Sequence, residues 1–463
     1  MGRGRTTLAL FLALVALGAY IYFVERKREP AGEGEDKKEK VFAALEAGTI
    51  EELRLTGSGD TRTALLKKDG RWSLVEPLVA AADEGEVSSL TTNLASLESQ
   101  RVIDEQPKDL AAYGLATPKV QVAFRAAGDK TLRTLKLGEK TPTGGDMYAQ
   151  LDGSPRVFLV SGFLDTTFDK KPFDLRDKAA LKIDREKVDG IEVQGPSGTL
   201  RFAKVQEGWR IAVPIDARAD AGAVEGLLSR ISGAQMRTIV TEQAAADLKP
   251  YGLDTPAYTV TLSAGSARSV FQAGAKNAEG QIHARDTSRP IIFTVDGFVV
   301  DDLAKTISDY RPKDLFEFRT FTGTRLEVTR AGATVAFGKQ TPKKDSDPER
   351  WAQVQPAKTI DDTKIVDALS KVTDLRAESF IDALPAGAAP VVAVRARFGD
   401  GKKEETVAFH KAGDDVFATR PGEPGAAKVS ATDFNAAIGA LDALESAAPP
   451  ASPTRSDGGS TPK

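Results

Sequence analysis

Cysteine is absent from the 463 residues, and histidine occurs only at His283 and His410. That composition excludes disulfides, thiolate metal sites, cysteine nucleophiles and a lipid-modified N-terminal cysteine. It also leaves too few imidazoles for a histidine-rich metal site within one chain. Candidates for general acid–base chemistry include the two histidines and carboxylate pairs. His410 ends an alternating stretch, Thr406–His410, with no partner motif near it. The 66 acidic residues allow many carboxylate pairs, and spacing in sequence singles out none for glycoside hydrolysis. Asp345-Ser-Asp347 resembles a fragment of a calcium loop but lacks its glycine and its closing glutamate, so it reads as a solvated turn. Gly57-Ser-Gly59 and Gly144-Gly145 read as hairpin turns rather than phosphate cradles. No phosphate-loop, nucleophile-elbow, zincin or dinucleotide fingerprint occurs. No catalytic, cofactor-binding or metal-ligating residue is therefore assigned, and no cofactor is expected.

The chain carries 63 Lys and Arg against 66 Asp and Glu, for a net charge of −3. A nucleic-acid binder shows a basic excess or stripe, and neither is present. The length suggests about three domains.

Residues 6–24, TTLALFLALVALGAYIYFV, contain no charge. Such a helix spans close to the roughly 30 Å hydrocarbon core of a bilayer. Tyr20 and Tyr22 lie near one end, where amphipathic rings favour the interface. A cleaved signal peptide has a shorter apolar region; cleavage at Ala16-Leu17-Gly18 would leave apolar Ile21–Val24 heading the mature chain. Residues 1–24 are therefore read as an uncleaved signal anchor. Two arginines precede the helix and six Lys or Arg lie between Arg26 and Lys40, which by charge alone favours a cytoplasmic C-terminal side. Large domains translocate largely regardless of such charge, so the bulk is placed outside the cytoplasmic membrane. Residues 25–40 balance six positive against six negative charges and form a flexible spacer. Residues 447–463, rich in Pro, Ser, Gly and Thr, read as a disordered tail.

Between spacer and tail the chain repeats itself. Trp72-x4-Pro77, Trp209-x4-Pro214 and Trp351-x4-Pro356 each lie in a strand-like run followed by a helical pattern, over Val87–Leu97, Ala223–Ile231 and Lys364–Val372. Recurrence at one repeat position marks the tryptophans as core anchors rather than ligand platforms. Asp109-Leu-Ala-Ala-Tyr-Gly-Leu-Ala-Thr-Pro118 matches Asp247-Leu-Lys-Pro-Tyr-Gly-Leu-Asp-Thr-Pro256 at seven of ten positions. Here the Asp caps a helical turn, the Gly makes a left-handed exit, the Leu drops into the core, and the Pro bars further helix. Aligning Tyr148, His283 and Phe417 puts His283 in an aromatic slot of a strand. Pro172-Phe-Asp-Leu175 is paired with Pro312-Lys-Asp-Leu315 as the closing segment of a unit. The units are placed at 41–178, 179–318 and 319–446, the third degenerate for want of a Tyr-Gly-Leu motif. Short connections and alternating strands predict an α+β fold. It comprises an N-terminal transmembrane helix, then three tandem repeats of mainly antiparallel sheet with a packed helix.

The anchor, the Trp-x4-Pro strand, the D-L-x-x-Y-G-L-x-T-P turn and Leu137-Gly138-x-x-Thr141 together resemble the DUF4340 family of bacterial proteins. The family has no established activity, so the resemblance supplies no catalytic residue. It implies location and company: genes for an ABC-type transporter related to those of gliding motility, with a permease and a membrane-anchored auxiliary subunit. The expected function is a non-enzymatic, membrane-anchored extracytoplasmic accessory or scaffold protein beside such a transporter. Alternatives are a binder of cell-envelope glycan or peptidoglycan and, third, a carboxylate-dependent hydrolase. A single-pass inner-membrane location with a periplasmic bulk follows from the leading reading.

Overall fold

The computed structural model describes residues 39–206, 208–340 and 349–446. The anchor expected at 6–24, most of the spacer, Asp345-Ser-Asp347 and the tail from 447 lie outside the described residues. Among those described, no helix is long and apolar enough to cross a membrane. The described residues divide into two compact units, one ending at Lys178 and the other starting at Ala179.

The first unit holds one nine-stranded sheet. Its strands are β1 (Ile50–Thr56), β2 (Arg62–Lys68), β3 (Arg71–Glu76) and β4 (Ala80–Ala81). After helix α1 (Glu84–Ala95) come β5 (Arg101–Asp104), β6 (Val120–Ala126), β7 (Arg133–Lys140), β8 (Asp146–Leu151) and β9 (Val157–Ser161). The spatial order is β4-β3-β2-β1-β6-β7-β8-β9-β5. Two four-stranded meanders thus meet where β1 pairs β6, and β5 closes the far edge beside β9. Every pairing is antiparallel, and β6 alternates buried and half-buried residues along its whole length, the signature of one covered face. Val87, Leu90 and Leu94 of α1 are fully buried against that face, among Leu53, Leu65, Val122, Phe124 and Leu135.

The second unit builds the same nine-strand order twice more. One sheet runs from Gly190–Gly195 to Ile292–Val295 with Thr238–Thr241 at its edge. The other runs from Gly323–Arg330 to Ala426–Val429 with Ala377–Ile381 at its edge. Their helices are α2 (Ala221–Ser232) and α3 (Asp362–Thr373). Each of the three helices starts with a capping aspartate. Asp83 accepts from the N–H of Gly85 and Glu86, Asp220 from Ala223 and Asp361 from Thr363. The peptide bond before Pro77, Pro214 and Pro356 is cis in all three repeats.

The third repeat is complete in its sheet. What it lacks is the Tyr-Gly-Leu turn between its edge strand and Ala389–Phe398. It also carries α4 (Ala431–Ser446), which the sequence reading did not foresee. Phe434, Ala437, Leu441 and Leu444 of α4 are buried with Ile365 and Leu369 of α3 in one core. The corresponding segments of the other repeats are short, Leu164–Phe168 and Phe298–Asp301.

The proposed pairing of Pro172–Leu175 with Pro312–Leu315 is out of register. In the first unit, Leu175 C=O accepts from the N–H of the capping Asp83; in the second, Tyr310 C=O accepts from Asp220 N–H. Leu175 therefore corresponds to Tyr310, not to Leu315. Both side chains are fully buried. The shared motif is Asp174-x-Arg176-x-Lys178 against Asp309-x-Arg311-x-Lys313. Leu315 serves the third repeat instead. Its N–H donates to Leu375 C=O and its side chain enters the third core. Ala180 N–H donates to Ala234 C=O, and Val41 N–H to Leu97 C=O, in the same manner.

Glu52 on β1 lies between the guanidinium groups of Arg54, at 2.8 Å, and Arg125, at 3.0 Å. Burial pushes its carboxyl up, but the two arginines outweigh that and hold it below the ordinary glutamate value. A carboxylate depressed in the folded state contributes stability above its unfolded pKa and loses it as pH falls through the folded one. Glu52→Gln is expected to cost about 1–2 kcal/mol in urea unfolding at pH 7, and the difference should shrink as pH falls through the lowered folded-state pKa, where the Glu52 carboxyl also becomes neutral.

Candidate functional site

The Tyr-Gly-Leu turns are structural interlocks. Asp109 accepts from Ala111 N–H at 2.9 Å, and Asp247 from Lys249 N–H at 3.0 Å, each starting a single turn of helix. Gly114 and Gly252 exit it at φ +67° and +63°, the left-handed region open to glycine. The turn then lies flat on the neighbouring strand. A Cβ at Gly138 would sit 2.1 Å from Tyr113 C=O, and one at Gly274 would sit 2.2 Å from Tyr251 C=O. The Leu-Gly element and the Tyr-Gly-Leu element are therefore two halves of one contact.

The aromatic position beside that contact is occupied by Tyr148, whose ring meets Tyr113 edge-on at 5.0 Å. In the second repeat His283 takes the place and packs on Tyr251 at 5.4 Å, with Nδ1 3.1 Å from Ala275 C=O. His410 Nε2 lies 3.0 Å from Thr419 Oγ1, and burial holds its pKa low. The two imidazoles sit in different sheets.

Trp72, Trp209 and Trp351 are 6%, 5% and 4% exposed, so their rings are engaged mainly in internal packing. Trp351 donates its indole N–H to Thr320 C=O at 3.0 Å, and Trp209 donates to Glu225 at 2.7 Å. Gly57–Gly59 and Gly144–Gly145 lie in the β1–β2 and β7–β8 hairpins. Among the described residues, no group of three or more His, Cys, Asp or Glu is placed to hold a metal ion.

The strongest concentration of buried charge lies between the second and third repeats, inside the second unit. Arg218 is on the two-residue edge strand Ala217–Arg218, just before the cap of α2. Its Nε donates to Glu423 at 2.7 Å, and its Nη1 is 3.6 Å from Glu317. Glu423 and Arg420 belong to the turn Arg420-Pro-Gly-Glu-Pro-Gly425. Arg420 reaches back to Glu405 at 2.9 Å and to Glu423 at 3.5 Å. Glu405, 7% exposed, also accepts from Phe318 N–H at 2.8 Å. Arg311 approaches Glu423 at 3.8 Å and covers the Phe380 ring at 4.1 Å, and burial pushes its pKa down. Three arginines thus meet three glutamates.

Two open clefts flank this cluster. One, of 440 Å³, is lined by Trp209, Arg210, Asp220, Phe316 and Arg319 among others. The other, of 560 Å³, is lined by Phe398, Lys402, Lys403, Glu404 and Pro421 among others. Glu404 is held below the ordinary glutamate range by hydrogen bonds from Arg395 and Arg397. The cluster is charge-balanced and internally paired, so its chemistry is that of a joint. The sequence reading missed it because its members lie 205 residues apart at the longest link, Arg218 to Glu423. The only local signal is an Arg and a Glu on one Pro-Gly turn.

No curated protein and no solved structure matches the chain. One family model matches it twice, over residues 72–211 and 209–391. The chain belongs to that family, the domain of unknown function DUF4340.

Proposed function

We propose that this protein is a non-enzymatic, membrane-anchored extracytoplasmic scaffold that works beside an ABC-type transporter. One observation carries the reading: the residues that define the repeat are used inside it. The tryptophans, the Tyr-Gly-Leu turns with their facing glycines, and His283 all contact their own sheet. What such a chain offers a partner is the surface of repeated sheets. The company of a permease and an auxiliary subunit comes from the family resemblance. The anchor at 6–24 would hold the repeats in the plane of the permease and raise their effective concentration there.

Envelope-polymer binding draws less support, since sugar platforms are exposed aromatics and the three tryptophans are buried. A hydrolase would need a carboxylate free to exchange protons, and Glu404 in the larger cleft is tied to two arginines. The test is a mild-detergent pull-down of the tagged full chain from its native membrane, read by mass spectrometry. The expected result is an ATPase, a permease and an auxiliary subunit in fixed ratio. Recovery of the protein alone, while other membrane complexes survive the same detergent, would overturn the proposal.

A further inference from the structure

We propose that the Arg–Glu cluster between the second and third repeats is a latch, and that Arg311-Pro312 is the pivot it controls. The argument starts from where the apolar anchors stop. Tyr310 is fully buried and packs on Phe202 of the second repeat, with ring centroids 4.8 Å apart. Its hydroxyl donates to Asp302 C=O at 3.0 Å. The third core begins at Leu315 and contains no residue that precedes it in the chain. Between these anchors lie only Arg311, Pro312, Lys313 and Asp314. Lys313 C=O and Asp314 are already joined to the third repeat, through Ala377 N–H and the bridge to Arg376. The backbone is therefore attached to one body up to Tyr310 and to the other from Lys313 onward.

Around that pivot, charged groups do the holding. Arg218, from the second repeat, reaches Glu423 and Glu317 on the far side. Arg311 sits on Phe380 and against Glu423. Arg420 donates to Leu315 C=O and to Glu405, which fixes the acceptor turn within the third repeat. The Arg218–Glu423 and Arg420–Glu405 pairs are shielded from solvent and so only weakly screened by salt, whereas Glu317 is exposed. A joint without a shared apolar core has no second mode of closure once the pairs part. The two flanking clefts, 440 and 560 Å³, leave open space on either side for the repeats to swing. The latch thus gives the scaffold two states. Closed, repeats two and three present one continuous body; open, they present two.

The absence of cysteine makes the test direct, because labels attach only where cysteine is introduced. Glu279→Cys and Asp414→Cys place nitroxides on exposed turns of the second and third repeats. Pulsed electron–electron resonance on the full chain should give one narrow distance distribution. Arg218→Gln should broaden it at least about twofold, with the circular dichroism of the folded protein retained. Glu423→Gln provides an independent second variant if the first fails to fold. A broad distribution in the parent, or a narrow one that survives both substitutions in folded protein, would overturn the latch.

Discussion

Gly274→Ala should be among the most damaging single-atom additions to this protein, while Gly226→Ala in the same repeat should stabilise it. Gly274 lies in the strand Ala267–Lys276, and the Tyr251-Gly252 turn rests on it. An added Cβ would meet Tyr251 C=O at 2.2 Å and Gly252 C=O at 2.8 Å. Both obstacles are backbone, so no rotamer change relieves them. The turn would have to lift, exposing Leu253, which is 1% exposed, and parting Tyr251 from His283. The expected cost is about 3 kcal/mol or more, beyond ordinary overpacking because the turn moves as a whole. Gly226 is on the exposed side of α2, and a methyl group added there would have nothing within 4 Å. Alanine at this position should gain about 0.5–1 kcal/mol from helix propensity. Urea unfolding followed by circular dichroism would measure both. Equal effects of one sign would refute the interlock.

Trp351→Ala should cost about 3–5 kcal/mol. The side chain is 4% exposed and meets Phe318 edge-on at 6.0 Å. Removing the indole leaves a cavity and strips Thr320 C=O of its donor. Trp351→Phe separates these two losses. It refills much of the volume, and the remaining penalty, about 1–3 kcal/mol, reports the unpaired carbonyl. The backbone N–H of Trp351 donates to Asp362 at 2.6 Å, so the strand is also tied to the first residue of α3. Differential scanning calorimetry of the two variants beside the parent would test the order. If Phe costs as much as Ala, the hydrogen bond rather than the ring volume dominates.

Much of the fold was legible because the repeat displays it three times. Trp72, Trp209 and Trp351 fixed the phase, and Val87, Leu90 and Leu94 at helical spacing placed α1. The Asp-Leu-x-x-Tyr-Gly-Leu turn was readable because each of its residues has a local backbone role. What it faces was not readable: Gly138 is 24 residues from Gly114, and a glycine within a strand does not announce its neighbour. The closing segments were misaligned because Pro-x-Asp-Leu recurs by composition at Leu175 and Leu315. Hydrogen bonding instead equates Leu175 with Tyr310, a leucine with a tyrosine, and similarity of residue type hides that. Helix α4 escaped because the Ala-rich run Ala431–Ser446 has a weak apolar stripe, although Phe434, Leu441 and Leu444 do share a face. Beyond the Arg and Glu of one Pro-Gly turn the charged joint leaves no trace in sequence, since attraction between Arg218 and Glu423 depends on topology.

The family matches begin at Trp72 and Trp209, in the third strand of a sheet, and the first ends at Ile211, inside the next. The matched segment is thus out of step with the unit that closes a core. A gene fragment cut at 209 and 391 would lack Gly190–Gly195 and Gly198–Val205, and Tyr258–Ala264 would lose its central partner. It would also hold only the start of the third repeat's Ala389–Phe398 strand. Exchange at the borders of these matches would therefore pass on open sheets. Exchange at 178–179 would move whole ones.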